Sequence, residues 1–464
     1  MPDDKTLPMA RAAGTATKRT AAHLFVVLEA GRPLAGGARY ELSGIDEVVL
    51  GRGAAREATR EGKRLIVRIP DPLMSSTHAR IVREPGGFSI EDSGSKNGSF
   101  ADGARVTKQR VAAGALLDLG TTLFTVQHDL PTPPLSRASV DAAALAGREL
   151  GMTTLLPAYA AALDKLGDIA RTGLFVLLLG ETGTGKELLA RGVHGRSART
   201  GAFVPVNCGA IPENLVEGQL FGHVRGAFSG AARDEPGFVR ASDRGTLLLD
   251  EIGDLPKSSQ AALLRVLQEH EVTAVGATRA QKVDLRVIAA THRPIASLAT
   301  GAGFRSDLFA RLAGYTHELL PLRERMEDLG LLVAAILPRV APEGAATLTL
   351  ELDLARALFH HDWPLNVREL HNALAASVVF ATDGVLTLAH APEALRRATP
   401  PEEAPSAALA ALTPEQEAQK EELAAVLGAH AGNVSEAARV MKCSRMQVHR
   451  WMRRFGLDPA AYRR

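Results

Sequence analysis

The run LFVLLLGETGTGKELLA, Leu174–Ala190, constrains the fold more than any other part of the sequence. It joins an apolar strand to a helix through G-x-x-x-x-G-K, a loop whose glycines let backbone N–H groups turn toward phosphate oxygens. The start of the helix adds its positive dipole end. Gly180, Glu181, Thr182, Gly183, Thr184, Gly185, Lys186 and Glu187 are therefore the expected nucleotide cradle, with Lys186 near the β and γ phosphates. Glu187 stands where Ser or Thr usually ligates magnesium, so the metal must lean on phosphates, water and an acid elsewhere. Asp250, at the end of the apolar strand in GTLLLDE, supplies that acid, with magnesium held through water. Its neighbour Glu251 can polarise an attacking water. Two such carboxylates alone would read as a solvated strand end; beside a phosphate loop they read as catalytic.

Around this centre the pattern changes twice. From about Leu24 to His128 the chain is a series of short strands broken by Gly, Pro, Asp and Asn turns, an all-β sandwich pattern. From about Val140, helices alternate with fully apolar runs, LFVLLL, GTLLLDE and LRVIAAT, which suits a parallel sheet covered on both faces. Beyond Arg325 the chain is mainly helical. At 464 residues it is long enough for about three domains. The expected division is a flexible start at 1–22, a β-sandwich at 23–129, a Pro-rich linker at 130–142, an α/β ATPase core at 143–325 with a helical lid at 326–391, a second linker at 392–412, and an all-α helix-turn-helix at 413–464.

Charge and cysteine content narrow the class. The formal net charge of +2 hides a basic end, since Asn433–Arg464 holds eight Lys or Arg against two Asp or Glu. Such an end suits a nucleic-acid contact or a solvated basic tail. Cys208 and Cys443 alone give neither a disulfide framework nor zinc-ligand spacing, and no apolar run reaches the roughly 20 residues of a membrane helix. A cytoplasmic protein without a membrane partner is expected.

The blocks GETGTGKE, NCGAIPENLVEGQLFGHVRGAFSGA, GTLLLDEIGDLP, FRSDLFARL, PLRERMEDL and WPLNVREL closely resemble the AAA+ domain of bacterial sigma-54 activators, the enhancer-binding proteins, from about Gly151 to Ala391. The resemblance implies magnesium-dependent ATP hydrolysis in a homo-oligomeric ring, a hexamer. Through it, Asn207 matches the partner that restrains Glu251, and Thr291 ends the strand that senses the γ-phosphate. Arg305 and Arg311 match the finger arginines that reach a neighbour's ATP, and Arg368 the lid arginine on nucleotide. His292 stands where the family usually has Asn, and Leu365 where Gly is common. The loop Gly226, Ala227, Phe228, Ser229, Gly230 and Ala231 matches the element that touches sigma-54, with Ser229 in place of the usual Thr.

At the front, Gly51-Arg52, Ser75-Ser76-Thr77-His78 and Gly94-Ser95-Lys96-Asn97-Gly98 resemble the forkhead-associated domain, a phosphothreonine reader. By this likeness Arg52 and Ser75 hold phosphate, Asn97 holds the peptide backbone, and His78 makes a structural hydrogen bond. Ser76 replaces a usual basic residue, and Lys96 can restore the charge. The partner would be a phosphothreonine protein, a Ser/Thr kinase or its substrate; the alternative is a sandwich that only packs or dimerises. At the back, GNVSEAARVMKCSRMQVHRWMRRFGL resembles a Fis-type helix-turn-helix, in which Ser444 opens a recognition helix carrying Arg445, Gln447, His449 and Arg450 toward double-stranded DNA at an upstream activator site. The function expected is an ATP-dependent activator that remodels sigma-54 RNA polymerase; the alternative is a sigma-54-independent DNA-binding regulator with a non-remodelling ATPase domain.

Overall fold

The computed structural model describes residues 19–145, 147, 151–228, 231–294, 303–381, 383–398, 414–430, 432–441, 443, 448, 451, 452, 455, 457 and 459–462. The front region is a β-sandwich. A seven-stranded sheet carries the long antiparallel pair Thr20–Glu29 and Thr122–Pro131 at its centre, and a six-stranded sheet carries Glu47–Arg52 paired in parallel with Arg64–Ile69. Leu24, Val26, Leu50, Val67, Ile81, Phe124 and Val126 fill the space between the sheets. Within the stretch expected to be a linker, Ser139–Asp141 adds as an edge strand beside Ala38–Glu41.

The central region is a five-stranded parallel sheet in the spatial order Phe203–Asn207, Thr246–Asp250, Arg286–Thr291, Val176–Leu179 and Tyr315–Glu318. Its inner strands are the continuous apolar runs of the sequence; Leu247, Leu248, Leu249 and Ile288 are fully buried because helices cover both faces. The chain leaves Val176–Leu179 into the phosphate loop and then into the helix Lys186–Arg196, while Asp250 and Glu251 close the neighbouring strand. A helical lid follows, with helices Leu329–Val340, Leu352–His360 and Asn366–Phe380.

A hydrophobic cluster runs without interruption from the front sheet into the lid. Phe25, Val27, Leu28, Leu116 and Leu123 of the sandwich share it with Leu155, Leu329, Val333, Leu354 and Leu358. The strand Thr20–Glu29 is consequently buried on both faces, nine residues in a row after Thr20. At the far end, helices Pro414–Ala429 and Val434–Val440 pack through Leu423, Leu427, Ala437 and Ala438 against Val448, Met452 and Phe455.

Candidate nucleotide site and its two outposts

Three glycines shape the phosphate loop. Gly180, Gly183 and Gly185 have φ of +154°, +81° and +102°, values that side-chain-bearing residues rarely adopt. Gly183 is doubly fixed, since a Cβ there would fall 2.1 Å from the Leu365 carbonyl oxygen of the lid. Lys186 is 7% exposed, and its Nζ donates to the carbonyls of Gly180 at 2.9 Å and Glu181 at 3.3 Å. It also lies 3.8 Å from Glu251 Oε1, which brings cation, loop and carboxylate together.

Thr184 is buried and donates its hydroxyl to the Glu181 carbonyl at 2.8 Å. Glu181 is gripped bidentately by Arg323, at 2.8 and 2.5 Å, and accepts from Asn366 Nδ2 at 3.1 Å; the Arg323 hydrogen bond holds its carboxyl below the usual range. Asn366 Nδ2 also donates to the Thr182 carbonyl at 3.0 Å. Glu187, at the magnesium-ligand position of the general motif, is exposed and pairs with Arg191 one helical turn on, at 2.7 Å. Arg368 meets the loop through its backbone N–H, 3.3 Å from the Gly183 carbonyl.

Burial, then the adjacent Glu251 charge, pushes the Asp250 carboxyl above its ordinary range, against the pull of the Lys186 ammonium. Glu251 has φ of +51° and accepts from His292, 2.7 Å from Nδ1 and 3.3 Å from the backbone N–H. Asn207, expected to restrain Glu251, accepts at Oδ1 from the Gly209 N–H at 3.0 Å. His292, noted in the sequence only as a departure, is in direct contact with Glu251. Thr291 is fully buried, and its Oγ1 accepts from the Arg293 N–H at 3.1 Å. Of the finger candidates, Arg305 pairs with Asp307 at 2.7 Å, while Arg311 donates to the Leu267 carbonyl at 3.0 Å and lies over the Phe175 ring.

The loop from Gly226 is closed by two backbone bonds, Gly226 N–H to the Ala231 carbonyl at 2.9 Å and Ala231 N–H to the Phe228 carbonyl at 3.1 Å. Phe228 stays 39% exposed, with its ring 4.9 Å from that of His223. Ser229 and Gly230 lie outside the described residues, as do Ser444, Arg445, Gln447, His449 and Arg450 of the expected recognition helix.

In the sandwich, the Arg52 N–H donates to the Ser75 carbonyl at 2.9 Å, and the Arg52 side chain is exposed. Fully buried His78 accepts from the Ser75 N–H at Nδ1, 3.0 Å, which assigns the proton to Nε2, 3.1 Å from the Gly98 carbonyl. Ser75 Oγ accepts from the Lys96 N–H at 3.2 Å, and Asn97 Nδ2 donates to the Leu73 carbonyl at 2.7 Å. Burial opposes the Asp92 charge, but hydrogen bonds from Ser95 and Ser99 outweigh it and hold that carboxyl low, fixing the loop. Arg68, which the motif did not single out, donates to the Ser76 carbonyl from the strand paired with Gly51. A guanidinium thus stands beside the position where the usual basic residue is missing.

Three family models match the chain. Residues 153–317 match the sigma-54 interaction domain, 323–408 the AAA+ ATPase lid domain, and 48–120 the FHA domain. The acetoin catabolism regulatory protein of Cupriavidus necator is 39% identical over 369 residues, covering 76% of this chain and 54% of the relative. A Nif-specific regulatory protein of Azotobacter vinelandii is 42% identical over 232 residues, 50% of this chain and 44% of that protein. The chain spans about half the length of the curated relatives it matches. Among solved structures, NtrX from Brucella abortus in complex with ATP superposes with a TM-score of 0.50 at 28% identity, over 66% of this chain and 69% of that one. Fold, loop and matches together define the central region as an AAA+ nucleotide-binding domain of the sigma-54 interaction type. An FHA domain match lies in front of it and an AAA+ lid domain match behind it.

Proposed function

We propose that the chain is an ATP-driven transcription activator that remodels sigma-54 RNA polymerase, binds upstream DNA through its last helices, and takes its signal from a phosphothreonine protein through its FHA domain. The observation that carries the reading is the meeting of Lys186, the three left-handed glycines and Glu251 at one end of the parallel sheet, with exposed Phe228 held on a separate closed loop. In this reading the loop N–H groups and Lys186 bind the phosphates, and Glu251 orients and deprotonates the attacking water. His292, 2.7 Å from Glu251, positions that carboxylate. Asp250 suits magnesium held through water, because its half-buried carboxyl sits beside Glu251 and gains from an added positive charge. The metal would neutralise phosphate charge. Arg305 and Arg311, on the Ser306–Leu312 helix and its cap, would complete a neighbour's site in a hexameric ring.

Phe228→Ala tests the coupling. An anchor aromatic at a protein contact carries about 2 kcal/mol or more, so the variant should hydrolyse ATP and bind DNA yet lose promoter opening by ~30-fold or more. Purified sigma-54 polymerase, supercoiled promoter DNA and ATP suffice for the assay. Normal promoter opening would remove the loop from the mechanism.

A further inference from the structure

The outward face of the six-stranded sheet in the sandwich carries a depression of about 600 Å³. It starts at Thr77 and Ser93, beside the loop of Ser75 and Ser76, and runs along the paired strands Glu47–Arg52 and Arg64–Ile69. Side chains alternate across a strand, so Val48, Leu50, Leu65 and Val67 point into the core while Val49, Arg64, Ile66 and Arg68 line the outer face. Register sets its length. Arg68 lies opposite Gly51 and Arg64 opposite Glu47, four residues away along the strand, a span of roughly 13 Å that about four residues of extended peptide would fill.

Charge is spread unevenly along this depression. At the far end, Glu47 answers Arg64 at 2.6 Å and Arg80 at 3.5 Å. At the near end, Arg68 donates to the neutral Ser76 carbonyl, and Asp92 is turned into its own loop, where it accepts from the Ser95 and Ser99 hydroxyls at 2.6 Å each. A carbonyl takes the hydrogen bond without cancelling the charge, so Arg68 keeps its attraction for a carboxylate. Ser93 Oγ, buried at the same end, has no hydrogen-bond partner among the described residues. A buried hydroxyl left unpaired costs free energy that a bound peptide group would recover. Between the two ends the floor is apolar, made by Val49 and its register neighbour Ile66, which is only half-buried.

We propose that the depression is a docking groove for the segment that flanks the phosphothreonine of the partner, taking an acidic side chain on Arg68 and an aliphatic one on Ile66 and Val49. Residues two apart in an extended peptide share a face, so the acid stands nearer the phosphate and the aliphatic residue two positions further out. The far end, already compensated by Glu47, asks for no second acid. The inference rests on the sandwich reading phosphothreonine through Arg52 and Ser75. It adds a second surface, on the sheet and not on the loops, that selects which phosphothreonine is read.

Calorimetry on the full chain compares three phosphothreonine peptides: a short one flanked by alanines, and two extended ones with aspartate, alanine and isoleucine running outward on the amino or the carboxyl side. One extended peptide should bind about tenfold or more tighter than the short one. Replacing its aspartate by lysine, or its isoleucine by alanine, should each remove most of that gain, a readout that needs no variant of the chain. Ile66→Glu, remote from the phosphate-holding loops, should abolish the gain and leave the short peptide within about twofold of the parent. Two extended peptides that both bind no tighter than the short one would overturn the groove, as would a gain that survives Ile66→Glu. A fall in solution mass for Ile66→Glu with peptide affinities unchanged would also overturn it, giving the face to a second copy of the chain. If the short peptide binds no better than its unphosphorylated twin, the phosphothreonine reading fails and the groove with it, an outcome told apart by that first titration.

Discussion

The molecule places cationic side chains at two candidate phosphate sites and builds the sites in opposite ways. In the central domain Lys186 is buried, its ammonium already engaged with two loop carbonyls, and the loop around it is set by glycines that no other residue could replace without strain. In the front domain Arg52, Lys96 and Asn97 are exposed, and the order lies beneath them, in the hydrogen bonds of His78 and Asp92. The first is a cradle of backbone, whose shape is the recognition; the second is a set of side chains on a fixed platform. A backbone cradle tolerates change in its surroundings and none in its glycines. Arg68, at the Ser76 carbonyl, adds a further guanidinium to that surface.

The sharpest way to separate chemistry from cradle is Glu251→Gln. It removes the carboxylate while leaving the loop intact, so ATP turnover should fall by about 10³-fold with nucleotide affinity nearly unchanged. Steady-state hydrolysis alongside equilibrium binding reads both, and normal turnover would dismiss Glu251 as the base. Lys186→Ala attacks the cradle itself and should weaken ADP binding by roughly 100-fold, through the loss of a buried charged donor. At the exposed site, Arg52→Ala should weaken a phosphothreonine peptide by about 10- to 100-fold relative to its unphosphorylated twin. Equal affinities for the two peptides in the parent chain would leave the sandwich a packing element only.

The smallest effect falls on the seam between the two regions. Burial pushes the Asp118 carboxyl from its usual 3.8 up to about 6, against the pull of Arg356. The folded chain therefore holds a proton that the unfolded chain releases between those values. This contribution to stability is fully present below pH 3.8, is lost as the pH rises through about 6, and is flat above. Melting the parent and Asp118→Asn between pH 4 and 7 should show a shallower pH slope for the variant; identical slopes would assign the titration elsewhere.

How much of this was legible in the sequence depended on whether the signal was local. The phosphate loop was legible because its glycines, strand and helix are contiguous. The departure at Leu365 turns out to be harmless for a reason that a motif cannot carry: the residue sits at φ of −104°, where glycine is not needed, and it meets Gly183 through its carbonyl. The positions with left-handed backbone are its neighbours, Trp363 and Asn366. The contact of His292 with Glu251 joins residues 41 apart on adjacent strands, and the spacing of either gives no hint of it. The seam was also missed, although LFVVLEA carried a clue. An antiparallel strand with one wet face alternates, whereas this one is apolar on consecutive positions, the mark of a strand covered on both sides.

That doubly covered strand bears on how such a chain can be recombined. A sensor attached by a tether can be exchanged for another with little consequence, since neither partner carries a surface made for the other. Here Val27 and Leu28 belong to the same interior as Leu329 and Val333, so removing the sandwich would bare a strip of lid that has never met water. Chimeras that join this ATPase to a foreign input module should therefore aggregate unless the lid face is redesigned with them, and the unit of inheritance is the pair.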